Sequence, residues 1–208
     1  MDGVVFEGRN FWMDLHRRYG GDISTAHDLT SRYLKSSYET LAEVVVGELW
    51  RGKSAEPYLE LVNERRYQPG VSETFQALRE RGVKTAIISS GPDLLAERAQ
   101  HDLGVDAFRA NGIEIENGRL TGAARIAVPD GEKGTVAADL LGELGVDPAE
   151  AAAVGDSDSD IPTLKLVGTP IAYASRSPTL ARIARCSFHH GELPRLLEVI
   201  DATNGAAA

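Results

Sequence analysis

The sequence predicts an α/β protein: a doubly wound, mostly parallel, Rossmann-like sheet with an all-helical cap inserted after its first strand. Three observations carry this. From Pro69 onward, strand-like and helix-like segments alternate. Residues 7–68 show only helical stripes, and the acidic stretch Gly155-Asp156-Ser157-Asp158-Ser159-Asp160 directly follows the apolar run Ala151-Ala152-Ala153-Val154. Repeated β-α units build parallel sheets covered on both faces, and such sheets bind ligands where loops leave the strand ends. The expected division is a core of residues 1–6 and 69–200, a cap of residues 7–68, and a flexible tail over 201–208.

Taken in order, Val4-Val5-Phe6 reads as a strand or strand end. Phe11, Trp12, Leu15 and Tyr19 make one helical stripe, ended by Gly20-Gly21. Leu29, Tyr33 and Leu34 mark a second helix, Leu41, Val44, Val45 and Leu49 a third, and Tyr58, Leu61 and Val62 a fourth. Arg65-Arg66-Tyr67-Gln68 reads as a hinge, because Pro69-Gly70 restarts the α/β pattern. Val71, Phe75 and Leu78 share a helical face, with Ser72 as cap and Gly82 as stop. Residues 83–89 form the next strand, with Ala86-Ile87-Ile88 buried, and a helix runs from Pro92 to Leu103 before Gly104. Ile113, Ile115, the turn pair Asn117-Gly118 and Leu120 predict a β-hairpin. Val136, Leu140, Leu141 and Leu144 stripe another helix, closed by Gly145, and the strand at 151–154 follows. Beyond the acidic loop come a short helix (Ile161, Leu164, Val167) and a strand over 170–174. A helix capped by Ser177 with Pro178 in its first turn and a last amphipathic helix through Leu193, Leu196, Leu197 and Ile200 complete the pattern. From Ala202 on, no core-forming pattern remains, which predicts a frayed tail.

Composition bounds the function. The 208 residues can bury one substantial core with a smaller domain attached. Lys plus Arg number 22 against 31 Asp plus Glu, and the net charge of -9 opposes any general attraction to nucleic acid or anionic lipid. A small phosphorylated molecule remains compatible, since one local cation can reverse the field in a crevice. The single cysteine, Cys186, excludes an internal disulfide and a cysteine-based zinc site, and reads as a small strand residue. No apolar run approaches 18 residues and no signal-peptide pattern opens the chain, so a soluble cytoplasmic protein is expected. Nothing in the sequence speaks to oligomeric state.

The acidic loop holds three carboxylates within five residues. Two like charges about 4 Å apart repel by roughly 4 kcal/mol at an effective dielectric of about 20, so such a cluster calls for a cation or a shared proton. All-oxygen ligands point to Mg²⁺; an acidic turn capping the next helix is the alternative. Ser89-Ser90-Gly91 ends a strand, where a hydroxyl and backbone N–H groups can bind a phosphate oxygen, or simply turn. Lys133 stands at a helix start, against the helix dipole, so either an anionic ligand or solvent compensates it. The surrounding residues are not a P-loop, because Lys133 follows Glu132. Met1-Asp2-Gly3-Val4 adds an acid and a glycine at the start.

The order Asp-Gly-Val, strand-Ser-x-Gly, helix-start Lys and Gly-Asp-x-x-x-Asp resembles the haloacid dehalogenase superfamily of phosphatases, in its phosphoserine-phosphatase-like branch with a helical cap. Pro69-Gly70 and Asn117-Gly118-Arg119-Leu120-Thr121-Gly122 extend the resemblance over essentially the whole chain. Each motif is short; four in this order are specific together. The resemblance implies a Mg²⁺-dependent phosphatase that acts on a small phosphorylated metabolite through an aspartyl-phosphate. By the same resemblance, Asp2 is the general acid and lends its carbonyl to the metal, and Ser89 binds the phosphoryl group with Ser90 and Gly91 as backbone neighbours. Lys133 neutralises phosphate and nucleophile, Asp156 is the direct Mg²⁺ ligand, and Asp160 orients the coordination shell. Asp158 matches no required position. A phosphotransferase or phosphomutase on the same scaffold is the enzymatic alternative, and a non-catalytic pseudo-phosphatase the other.

Two departures qualify the expectation. The pattern's nucleophilic aspartate falls two positions before Asp2, ahead of Met1. Either the chain begins inside its first motif, which the intact later motifs favour, or it is a relative without the nucleophile. Asp2 fits that role less well, because Val4 would then take the acid position. In addition, related phosphoserine phosphatases carry a cap glutamate where this chain has Arg9, and their cap arginine has no match across 38–46. Arg9, Trp12 and Arg51 are the candidate specificity residues.

Overall fold

The computed structural model describes residues 1–33 and 37–205, with side chains through Ala202. Leu34, assigned above to the second helix, and residues 206–208 of the expected tail lie outside the described residues.

The helical insert comprises α1 (Phe11–Arg18), α2 (Ile23–Tyr33), α3 (Tyr38–Ala42), a π-helix (Glu43–Trp50) and α4 (Glu56–Glu64). Asn10 caps α1 by accepting from the Met13 N–H, and Ser37 caps α3 by accepting from the Thr40 N–H. The third helix departs from expectation. Its i→i+5 bonding widens each turn and changes which positions face inward. Val46 and Trp50 are buried, whereas Leu49, assigned to the buried stripe by a 3.6-residue period, is 40% exposed.

The chain enters and leaves the insert through paired backbone. Glu7 N–H donates to Arg66 O and Gln68 N–H to Val5 O, each at 2.9 Å, and Phe6 bridges Tyr67. The Phe6 and Tyr67 rings stack at 4.6 Å between centroids, so the hinge expected at 65–68 is a packed junction.

The α/β part follows with α5 (Val71–Glu80), β1 (Ala86–Pro92), α6 (Asp93–Leu103), β2 (Ala107–Glu116), β3 (Arg119–Arg125) and α7 (Lys133–Leu144). Then come β4 (Ala152–Gly155), α8 (Ile161–Leu166), β5 (Thr169–Tyr173), α9 (Pro178–Ile183), β6 (Cys186–Phe188) and α10 (Leu196–Gly205). Asn117 and Gly118, at φ 50° and 73°, turn β2 into β3 as a two-residue hairpin requires. Ser72 does not cap α5: the cap position is Gly70, at φ 81°, where a Cβ would meet Pro194 Cγ at 2.6 Å. The expected tail is also helical as far as Gly205. Val199 and Ile200 pack on the core, and Asp201 pairs with Arg81 at 2.9 Å, which carries α10 past the last apolar position.

The strands form two three-stranded sheets. β1 pairs parallel with β2, which pairs antiparallel with β3; β4, β5 and β6 are all parallel. A cavity of about 550 Å³ lies between the facing strands β1 and β4, with Met1, Val4, Ile87 and Val154 in its walls. One large core unites Phe6, Phe11, Trp50 and Tyr58 with Leu95, Ile171 and Tyr173, so insert and sheets are packed together. Leu164, Ala172 and Leu180 form a smaller cluster beneath α8 and α9. The carboxyl ends of β1 and β4 carry Ser89-Ser90-Gly91 and Gly155-Asp156 toward the same side as the insert, and all of these except Gly155 line one cavity with it. No helix among the described residues is long and apolar enough to cross a membrane.

Candidate active site

That second cavity, of about 390 Å³, has a polar floor and an apolar roof. Met1, Asp2, Ser89, Lys133, Asp156 and Asp160 make the floor. Gly155 ends β4 with no room for a side chain, since a Cβ there would sit 2.5 Å from Asp160 Cβ. The loop can therefore fold back on itself. Asp160 Oδ2 accepts from the Asp156 N–H at 3.0 Å and the Ser157 N–H at 3.1 Å, while Oδ1 accepts from Lys133 Nζ at 2.7 Å. Lys133 also donates to Ser159 Oγ at 3.0 Å. Burial works against the Asp160 charge, but Lys133, the Met1 ammonium and the loop N–H groups together hold its carboxyl below the ordinary range.

Asp156 is held differently. Its Oδ2 lies 2.6 Å from where a Cβ on Gly3 would stand, and Gly3 has φ 77°, so only glycine lets the first segment approach this carboxylate. Burial, then the Asp160 charge, push its carboxyl upward against the pull of the Met1 ammonium and Lys133, and it forms no ion pair among the described residues. The Met1 α-amino group is buried in the same floor. Its pKa is lowered by burial and by Lys133, against Asp160, Asp2 and Asp156.

Asp2 Oδ2 accepts the Phe11 N–H at 2.8 Å, fixing the start of α1, while Oδ1 is buried without a partner. Asp2 Oδ2 and Ser89 Oγ both lie within 4 Å of the point where a Cβ on Gly91 would stand, and Gly91 N–H donates to Ser89 Oγ at 3.0 Å. No cluster of three or more His, Cys, Asp or Glu side chains suited to a metal occurs among the described residues. Asp160 is saturated by its own loop and Lys133, so a divalent cation would draw on Asp156 and main-chain oxygen. The unpaired, repelled Asp156 suits such an ion.

The specificity residues divide. Arg9 and Trp12 line the cavity, Arg9 exposed at its edge. Arg51 does not: it follows the π-helix and packs over Gly122 of β3, where a Cβ would meet its Nε at 2.6 Å. Asp158 faces away and accepts from Ser177 Oγ. Sequence reasoning missed two residues. Asn111 is 1% exposed; its Oδ1 accepts from Ala127 N–H and Val128 N–H at 2.9 and 2.8 Å, and its Nδ2 donates to Val128 O at 3.1 Å. Tyr38 Oη donates to Ser90 O at 3.1 Å, beside the Trp12 indole N–H at 2.8 Å, and burial raises its phenol. The signal for Asn111 was an amide interrupting a strand; Tyr38 had none.

Carboxylates beyond the strand ends and a lysine at the start of α7 thus meet beneath a helical insert on an α/β core. Residues 4–165 match the family model of haloacid dehalogenase-like hydrolases, and the chain belongs to that family. A phosphoserine phosphatase of Polaromonas sp. is 32% identical over 141 residues, 65% of this chain and 59% of that protein. One of Archaeoglobus fulgidus is 30% identical over 158 residues, 76% of this chain and 45% of that protein. The chain thus spans roughly half of these relatives' length. A solved phospho-aspartyl intermediate analogue of phosphoserine phosphatase superposes with a TM-score of 0.80 at 23% identity, covering 96% of this chain and 95% of that one; it shares the fold.

Proposed function

We propose that this site hydrolyses a small phosphate monoester with Mg²⁺, through an aspartyl-phosphate, under residues 7–68 acting as a cap. The observation that carries the reading is the gathering of Lys133, Asp156, Asp2 and Ser89 around one cavity floor at the ends of β1 and β4. Relatives that are phosphoserine phosphatases support the phosphate-monoester part of this reading.

Ser89 Oγ, already oriented by the Gly91 N–H, donates its hydroxyl proton to a phosphoryl oxygen. Lys133 supplies the fixed positive charge that phosphoryl transfer demands, and Asp160 holds that ammonium in place. Mg²⁺, held by Asp156 and the Asp2 carbonyl, would neutralise the phosphoryl oxygens. Asp2 keeps one carboxylate oxygen on Phe11 N–H and has the other free to carry a proton to the leaving oxygen. An aspartate placed directly ahead of Met1 would supply the nucleophile. The Met1 nitrogen is buried among Lys133, Asp156 and Asp160, so a carboxylate attached there enters beside the lysine.

The test extends the chain so that Asp directly precedes Met1. The extended protein should show Mg²⁺-dependent release of phosphate from small esters and an acid-stable phosphoenzyme, most of it lost in Asp2→Asn. Mg²⁺ and phosphate binding without turnover would make it a binding protein instead.

A further inference from the structure

The cavity roof is unlike its floor. Met13 from α1, Leu29 from α2, and Leu41, Val45, Val46 and Trp50 from α3 and the π-helix face inward, and Ile113, Ala124 and Ile126 close the side along β2 and β3. The π-helix matters, because its wide turn presents Val45, Val46 and Trp50 together, beside Leu41 of α3; π-helical turns are rare and are frequent at functional sites.

Most polar groups of the described roof are already engaged. The Trp12 N–H and Tyr38 O–H both donate to Ser90 O, Thr30 Oγ1 donates to Ala26 O within its helix, and Asn10 caps α1. His16 Nε2 is buried without a partner, but a Cβ on Gly21 would lie 2.1 Å from it, so it points into that glycine. Among the described residues Arg9 is the one Lys or Arg that the insert brings to the cavity, exposed at the edge and without an ion pair there. The acids lining the cavity, Asp2, Asp130, Asp156 and Asp160, all lie outside the insert, and Asp130 is exposed. Among the described residues the insert places no carboxylate in the roof, so a substrate ammonium held there would be desolvated without a partner from the insert, which is costly.

We infer that the substrate's alcohol portion is apolar: the site takes a phosphate monoester of an aliphatic or aromatic alcohol, not of an amino acid. This rests on the phosphatase reading above and names the substrate class for that site. Each methylene that leaves water for the roof strengthens binding about fourfold.

The full chain is titrated calorimetrically, with Mg²⁺, with inorganic phosphate, with methyl, n-propyl and n-hexyl phosphonate, and with the phosphonate analogue of phosphoserine. Affinity should climb at least tenfold from methyl to n-propyl and further to n-hexyl, and the amino-acid phosphonate should bind no more tightly than methyl phosphonate. In Val45→Asp the ratio of n-hexyl phosphonate to inorganic phosphate affinity should fall at least tenfold, and in Val45→Ala by a smaller factor in the same direction. Phosphate binding with no dependence on chain length, or tighter binding of the amino-acid phosphonate than of n-propyl phosphonate, would overturn the inference and leave the phosphatase reading standing. Failure of phosphate and every phosphonate to bind would remove that reading and this inference with it.

Discussion

The Trp12 indole N–H donates to the Ser90 carbonyl at 2.8 Å, tying the first helix of the insert to the residue beside Ser89. Tyr38 and Asn111 approach the same oxygen at 3.1 and 3.5 Å. One carbonyl at the end of β1 is thus the point on which insert and core close.

Trp12→Phe should therefore cost only about 1 kcal/mol, because two other donors still reach Ser90 O. Adding Tyr38→Phe should cost more than the two single changes together, since both remove donors from one acceptor. Urea unfolding of the three variants measures this.

Asn111→Ala should be far more damaging. It leaves the buried Val128 N–H without its acceptor, at about 1–3 kcal/mol, and the part-buried Ala127 N–H at a smaller cost, so the protein should lose about 2–4 kcal/mol in chemical denaturation.

Asp156→Asn should raise the stability of the metal-free protein at neutral pH. The Asp156 carboxyl is pushed upward, so the native state holds its proton longer than the unfolded chain, whose value is near 3.9. Parent stability therefore falls as pH rises from about 4 through the raised folded value, and the asparagine variant escapes that loss. Mg²⁺ should reverse the order by stabilising the parent more. Thermal melts with and without Mg²⁺ across pH report both effects.

Lys133→Met should act with the opposite pH signature. Asp160 lies below its ordinary value, so its pairing contributes fully above the unfolded carboxyl value, about 3.9, and is lost as pH falls through the depressed folded value. The variant should be destabilised by up to about 3–5 kcal/mol near neutrality, the cost of leaving a partly buried charge unpaired, with the difference shrinking in acid. Denaturant midpoints at pH 7 and pH 3 check it.

What the sequence made legible was local. Ser89, Lys133 and Asp156 stand at the ends of periodic segments, so a short motif fixes both the side chain and its place on a strand end or helix start. The hairpin at Asn117-Gly118 was legible because a two-residue turn demands positive φ at both positions. Illegible features depend on distant partners. Tyr38 acquires its role through Ser90, 52 residues away, and Arg51 is drawn from the cavity by the open backbone of Gly122. The π-helix escaped because its period is set by packing against β3, and a 3.6-residue reading placed Leu49 inside. The helical end of α10 escaped because its anchor, the Asp201 pair with Arg81, is 120 residues apart in sequence.

The central claim is that the floor made by Ser89, Lys133, Asp156 and Asp2 is a phosphoryl site completed by a divalent cation. Calorimetric titration of the full chain with inorganic phosphate, in the presence and absence of Mg²⁺, tests it most directly. The account predicts saturable binding that weakens at least tenfold without Mg²⁺ and loses that Mg²⁺ dependence in Asp156→Asn. Absent binding, or binding indifferent to both Mg²⁺ and Asp156→Asn, would contradict it.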